Sequence, residues 1–190
     1  MSISDDNGET FRTISTNCYE QETEEDDEWA GLPKLIDLHK DGSLLAAYYS
    51  GFLIFRNGGA SCEKIHFPGD IVKYSSSGNI KFSPSNSNIV YLYETGDGNT
   101  DPKIHEVNLS EGTYNTIPCT LPIRGFDVVP GDSDTIYIKA YTDAGEILES
   151  KDKGLTWNLF NNDGEITGGS LKTSGGEVFL RTDDGIYIYK

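Results

Sequence analysis

Short runs of apolar residues, separated by turns rich in glycine and polar residues, recur along the chain. Residues 42–55 contain two apolar runs that meet at Gly51, and residues 176–189 repeat this arrangement with a glycine at the corresponding place. Residues 82–92 and 128–138 carry a related pattern, in which a proline and a polar turn precede an apolar run. Apolar runs of this length, bounded by turn residues, predict short antiparallel β-strands.

The four segments recur at a nearly constant interval. Equivalent points are Gly42, Asn88, Asp134 and Gly176, which are separated by 46, 46 and 42 residues. Repeats in the forties with four short strands each are typical of the blades of a β-propeller. We therefore predict an all-β chain folded as a small four-bladed β-propeller. The predicted blades are residues 35–67, 79–118, 125–160 and 168–190.

Two eight-residue segments share the pattern Ser-x-Asp-x-Gly-x-Thr-aromatic. The first copy contains Ser4, Asp6, Gly8, Thr10 and Phe11, and the second contains Ser150, Asp152, Gly154, Thr156 and Trp157. This spacing predicts a tight turn, in which the aspartate carboxylate accepts backbone N–H groups two residues further on. The glycine would supply a positive φ, and the last two residues would begin the next strand.

This pattern resembles the Asp-box, the turn between the third and fourth strands of a blade in sialidase-like and sortilin-like propellers. The resemblance implies that both copies lie on the outer rim and that their residues are structural. It also implies that the first copy continues from the last strand, 185–190. Residues 9–15 would then be the outer strand of the fourth blade. A single domain, 1–190, would thus be closed by its N-terminal strand, with no exposed sheet edge.

The charge is the most informative feature of the composition. Thirty-one acidic residues face 15 basic ones, which gives a formal net charge of −16. Such a chain is unsuited to nucleic acid or an anionic membrane, because binding to either requires Lys and Arg. The charge is compatible with a basic protein partner, and equally with a role in solubility alone.

The termini and the cysteines bear on location. No apolar run has the length of a membrane span, and the polar, acidic N-terminus shows no signal peptide. The chain has an odd number of cysteines, with no Cys-x-x-Cys pair: Cys18, Cys62 and Cys119. This usage favours free thiols in a reducing compartment over a disulfide framework. We therefore expect a cytoplasmic monomer.

The candidate metal motifs fail on their spacing. Asp97, Asn99 and Asp101 resemble the start of a calcium loop, but Pro102 and Asn108 stand where that loop requires Gly and Glu. The histidines are too scattered to predict a zinc site: His39, His66 and His105. We expect no metal and no cofactor.

The enzymatic interpretation of the resemblance is also weak. Sialidases of this architecture hold the substrate carboxylate with three arginines. The four arginines of this chain are Arg12, Arg56, Arg124 and Arg181. The first two stand beside outer strands, so three cannot easily converge, and nothing selects a pair of carboxylates for glycoside hydrolysis. We predict a non-enzymatic protein, with a glycan-binding or glycoside-hydrolase-like propeller as the alternative.

The innermost predicted strands bring four polar residues to equivalent positions near the axis: Asp37, Lys81, Asp127 and Ser170. Opposite charges around so narrow a channel could pair with each other, or could hold an ion or a water molecule. We favour pairing, because a buried unpaired charge is costly.

The longest predicted connection, residues 16–34, is strongly acidic. Seven carboxylates lie within residues 20–28, with aromatic residues at both ends. The predicted binding residues are Tyr19, Glu22, Glu24, Asp26, Glu28 and Trp29. Charge flanked by aromatic side chains is typical of an interaction site. We therefore predict an acidic protein-binding module that masks a basic partner, and a solvated insertion is the alternative for this loop.

Overall fold

The structure, a computed structural model, describes residues 2–4, 6, 8–13, 35–48, 51–66, 75–94, 102–119, 123–140, 146–161, 170–181 and 185–190. These residues form antiparallel strands almost throughout, with a single turn of 3₁₀ helix at Asn57–Gly59. No helix within the described part of the chain has the length and apolar character of a membrane span. The predicted all-β class is confirmed.

The chain divides into two compact units, Met1–Lys73 and Tyr74–Lys190. In the first unit, a two-stranded N-terminal hairpin is formed by β1 (Ser2–Ile3) and β2 (Arg12–Thr13). The first sheet follows, with each strand paired to the next: β3 (Leu35–Leu38), β4 (Leu44–Tyr48), β5 (Gly51–Arg56) and β6 (Ser61–His66). In β5 the run from Phe52 to Phe55 is buried on both faces, which accounts for its unbroken apolar sequence.

The second unit contains three further antiparallel sheets. The second sheet is β7 (Ser75–Ser83), β8 (Asn86–Glu94), β9 (Lys103–Asn108) and β10 (Thr113–Pro118). The third sheet is β11 (Ile123–Val129), β12 (Asp132–Ala140), β13 (Ile147–Ser150) and β14 (Asn158–Asn161). The fourth sheet is β15 (Ser170–Ser174), β16 (Glu177–Arg181) and β17 (Ile186–Tyr189).

The cores of the second unit lie between successive sheets. One cluster joins the second and third sheets and includes Tyr91, Ile104, Phe126 and Ile136. A smaller cluster joins the third and fourth sheets: Ile147, Leu171, Val178 and Leu180. The first strand of the third sheet, β11, contacts the first strands of both other sheets, β7 and β15. The three sheets are therefore stacked face to face, with their first strands together.

The N-terminal strand does not appear in the pairing that the sequence predicted. In the described residues β2 pairs with β1, and the fourth sheet has three strands. Closure of the last blade by residues 9–15 therefore stays a prediction.

The prediction of free thiols is wrong at Cys62, which is disulfide-bonded. Cys119 is a free, buried thiol. Spacing along the sequence could not reveal this, because a disulfide requires two cysteines to approach in the fold. The cysteines thus no longer support a reducing compartment, and the cytoplasmic location stays an untested prediction.

Candidate functional site

The segment 150–157 is a turn held by two side chains. The Ser150 hydroxyl accepts the Gly154 N–H at 2.7 Å and donates to Asp152 Oδ1 at 2.7 Å. The carboxylate of Asp152 in turn accepts the Thr156 N–H at 2.9 Å and the Thr156 hydroxyl at 2.6 Å. These hydrogen bonds, above all that from the hydroxyl, hold the pKa of Asp152 below its usual value. The predicted contact two residues on is therefore wrong. The carboxylate reaches four residues on, because the serine occupies the nearer N–H groups.

The segment 4–11 has the same network. The Gly8 N–H donates to the Ser4 hydroxyl at 2.7 Å, and the Thr10 N–H donates to Asp6 Oδ1 at 2.8 Å. Hydrogen bonds from Thr10 hold the pKa of Asp6 at about 2. The predicted positive φ is found at both glycines, +91° at Gly8 and +83° at Gly154. We call the two segments the first and second serine–aspartate turns.

The two turns differ in their surroundings. The second turn packs onto the second sheet, and a Cβ added to Gly154 would lie 2.1 Å from Ile117 Cγ2. Trp157 is half-buried against the core between the second and third sheets, and its indole N–H is buried with no acceptor among the described residues. Phe11, the equivalent of Trp157, is 69% exposed. The second turn therefore has a packing role in the second unit.

Each of the four predicted channel residues lies on the first strand of its sheet: Asp37 on β3, Lys81 on β7, Asp127 on β11 and Ser170 on β15. Asp127 accepts the Thr173 N–H at 2.7 Å and the Thr173 hydroxyl at 3.3 Å, which ties the third sheet to the fourth. Burial raises the pKa of Asp127, while the charges of Lys172 and Lys81 act in the opposite direction.

The hydrogen-bond partner of Asp127 is thus Thr173, which the sequence did not single out. Asp37 belongs to the first unit, and the side chain of Ser170 lies outside the described residues. Convergence of the four residues on one axis stays a prediction.

The gap between the second and third sheets is bridged by a lysine. The Tyr91 hydroxyl donates to Glu106 Oε2 at 2.7 Å, and these residues face each other across β8 and β9. Burial raises the pKa of Tyr91, and the hydrogen bond to Glu106 raises it further. Lys153 Nζ lies 4.0 Å from Glu106 Oε2 and 3.6 Å from Asp134 Oδ1. An ammonium group of the chain therefore lies between carboxylates of two sheets.

The gap between the third and fourth sheets contains a cavity of about 220 Å³. Its polar lining consists mainly of Asp132, Thr135, Tyr137, Glu149, Lys151 and Glu177. The Tyr137 hydroxyl donates to Glu149 Oε1 at 2.5 Å, and these residues face each other across β12 and β13. Burial raises the pKa of Tyr137, and the hydrogen bond to Glu149 raises it further, so the hydroxyl remains a donor.

This cavity was missed by the sequence reasoning. It lies at the end of the sheets where β11 turns into β12 and β15 into β16. The sequence does contain one usable signal, since Tyr91 with Glu106 and Tyr137 with Glu149 occupy equivalent places in successive repeats. Cross-strand pairs of this kind also stabilise sheets, so their recurrence in two repeats does not by itself mark a site.

His105 is the centre of a separate buried cluster on the second sheet. Its Nε2 lies 2.7 Å from Glu94 Oε2, and its Nδ1 lies 3.2 Å from the Thr116 hydroxyl. Both ring nitrogens therefore have partners, which is the arrangement of a structural histidine. Among the described residues, no group of three or more His, Cys, Asp or Glu side chains could hold a metal ion.

The predicted binding residues of the acidic loop lie outside the described residues: Tyr19, Glu22, Glu24, Asp26, Glu28 and Trp29.

No protein-family model and no curated protein matches the sequence. Solved structures do match. YCF48 from Cyanidioschyzon merolae has a TM-score of 0.65 at 16% identity, over 98% of this chain and 62% of that chain. A structure of YCF48 bound to D1 peptide has a TM-score of 0.60 at 14% identity, over 83% of this chain and 50% of that chain. The GH74 xyloglucanase from Xanthomonas campestris has a TM-score of 0.60 at 12% identity, over 83% of this chain and 29% of that chain.

These structures are β-propellers, and the chain spans less than two thirds of the length of each. At such identities the likeness shows the fold, so the chain is a propeller-like all-β protein. The matches include an enzyme and a protein bound to a peptide. The fold by itself therefore does not distinguish an enzyme from a peptide-binding protein, and the function must be argued from the residues.

Proposed function

We propose that this chain is a non-enzymatic protein-binding module that recognises a basic surface. The observation that carries the proposal is the formal net charge of −16 on a propeller-like fold. Such a charge attracts a basic partner over a long range and raises the rate of association. The match to YCF48 bound to D1 peptide supports a peptide or protein as the ligand.

The finer architecture belongs to the same proposal. We take the chain as one four-bladed propeller, 1–190, whose last blade is completed by residues 9–15. Two observations support this: each repeat has its own antiparallel sheet, and both serine–aspartate turns have the hydrogen bonds that an Asp-box would use. Deleting residues 1–15 should then expose a sheet edge and cause aggregation or a large drop in Tm. A truncated protein that melts like the full chain would contradict closure.

The acidic loop is the proposed contact region. Its carboxylates would accelerate encounter, and Trp29 would slow dissociation by filling a pocket on the partner. A pull-down from native lysate would supply the partner, and surface plasmon resonance at two salt concentrations would measure both rates.

The expected result separates charge from packing. Neutralising Glu22, Glu24, Asp26 and Glu28 together should slow association with little change in Tm, whereas Trp29→Ala should speed dissociation. Affinity that is insensitive to salt and to both variants would remove the acidic loop from the binding surface.

A glycan ligand is the second candidate, and the likeness to the GH74 xyloglucanase favours it. A glycan array run beside the pull-down distinguishes the two. Glycan binding without a protein partner would replace the first proposal.

A further inference from the structure

Two gaps between neighbouring sheets contain an equivalent pair of residues. Each has a tyrosine whose hydroxyl donates to the glutamate opposite, Tyr91 to Glu106 in one gap and Tyr137 to Glu149 in the other. In the first gap, Lys153 brings an ammonium group between this glutamate and Asp134 of the next sheet. Lys153 is half-exposed, and it places an ammonium group beside the glutamate of the first gap.

In the second gap the corresponding space is the cavity of about 220 Å³. Glu177 supplies the carboxylate from the next sheet, one residue after Gly176, the equivalent of Asp134 in the repeat. Among the described residues, no ammonium group bridges Glu149 and Glu177. Three carboxylates line the cavity, against the single ammonium group of Lys151.

The two lysines paired with the glutamates of this cavity are largely exposed. Lys151 lies 3.2 Å from Glu149 but is 72% exposed, and Lys190 lies 3.3 Å from Glu177 but is 82% exposed. Exposed pairs of this kind contribute little, because both partners remain solvated and the long side chains lose rotamer freedom when they pair. A ligand cation can therefore displace either lysine at small cost.

We propose that the cavity between the third and fourth sheets binds the ammonium group of a lysine side chain presented by a partner protein. This inference rests on the proposed function and deepens it, because it names the group that is recognised. Val129 and Val178 in the lining offer apolar contact to the stem of such a side chain.

A small probe tests the site directly. Nα-acetyl-lysine methylamide should shift the NMR resonances of Thr135 and Val178 in a saturable titration, whereas the uncharged norleucine analogue should not. Glu177→Gln should weaken this binding about tenfold or more, since it removes a charged acceptor. Glu106→Gln, a matched change in the gap between the second and third sheets, should leave the binding of the lysine derivative unchanged. Equal shifts from both analogues, or equal binding by Glu177→Gln, would overturn the proposal.

The gap between the second and third sheets offers a second test. Lys153→Met removes the ammonium group beside Glu106 and Asp134, so this variant should bind a second equivalent of the lysine derivative near Tyr91. If no second site appears, the comparison between the gaps is wrong and the proposal fails with it.

Parallel binding of poly-L-lysine separates this inference from the proposed function. Poly-L-lysine binding without any shift from the small derivative would overturn the cavity site and leave the protein-binding function standing. Shifts from the derivative without poly-L-lysine binding would reject the basic protein partner and retain an ammonium site. If neither poly-L-lysine binding nor NMR shifts from the derivative are seen, both the cavity site and the proposed protein-binding function are overturned.

Discussion

At Gly154 the structure adds a packing constraint to the positive φ that the sequence predicted. Its φ of +83° already disfavours a side chain, and an added Cβ would also lie 2.1 Å from Ile117 Cγ2. Gly131, on the same sheet, has a φ of +86° and no atom within 4 Å of its added Cβ. Gly154→Ala and Gly131→Ala therefore share the backbone strain and differ in the packing conflict.

The magnitudes of the two effects can be separated. Backbone strain at a positive φ costs about 1–2 kcal/mol, which both variants should show. Overpacking against a buried side chain adds about 1–3 kcal/mol, which only Gly154→Ala should show. For a chain of this size each kcal/mol lowers Tm by about 2–4 °C. Urea unfolding followed by circular dichroism gives the free energies of unfolding, and calorimetry gives the Tm.

A double-mutant cycle identifies the conflicting atom. Adding Ile117→Ala to Gly154→Ala removes the Cγ2 methyl group, so the two changes together should cost less than the sum of each alone. Equal losses for Gly154→Ala and Gly131→Ala, or strict additivity in the cycle, would refute the packing of the second serine–aspartate turn against the second sheet.

Three further predictions follow from ionisable groups. Burial raises the pKa of Asp127, so its contribution to stability falls as pH rises through that pKa. The stability of Asp127→Asn should therefore gain on that of the wild type as pH rises above about 4, the ordinary pKa of an aspartate, whereas Asp127→Ala should lose about 1–3 kcal/mol by leaving the Thr173 N–H unpaired. Because the pKa values of Asp6 and Asp152 are lowered, both turns should lose stability as pH falls from about 4 toward 2, seen as faster amide exchange at Thr10 and Thr156. Burial raises the pKa of Cys119 to about 12, so iodoacetamide should label this thiol only after unfolding. Cys62 is disulfide-bonded, so it should be labelled only after reduction. Labelling of Cys62 without reductant would contradict its disulfide.

The sequence by itself determined the strands and the turns. A short apolar run between turn residues marks a strand wherever it lies, and the glycine of each serine–aspartate turn reports a local backbone requirement. The positions of the sheets and the positive φ of Gly8 and Gly154 were therefore predictable. The partner of the aspartate was misplaced by two residues, because the serine competes for the same N–H groups.

The tertiary structure decided the contacts between sheets. Thr173 beside Asp127, Ile117 beside Gly154 and Lys153 between Glu106 and Asp134 all join residues far apart in sequence or on different sheets. Their approach depends on how neighbouring sheets stack, which periodicity does not encode. The same holds for the cavity beside Glu149, because a gap between two sheets exists only once the sheets have packed.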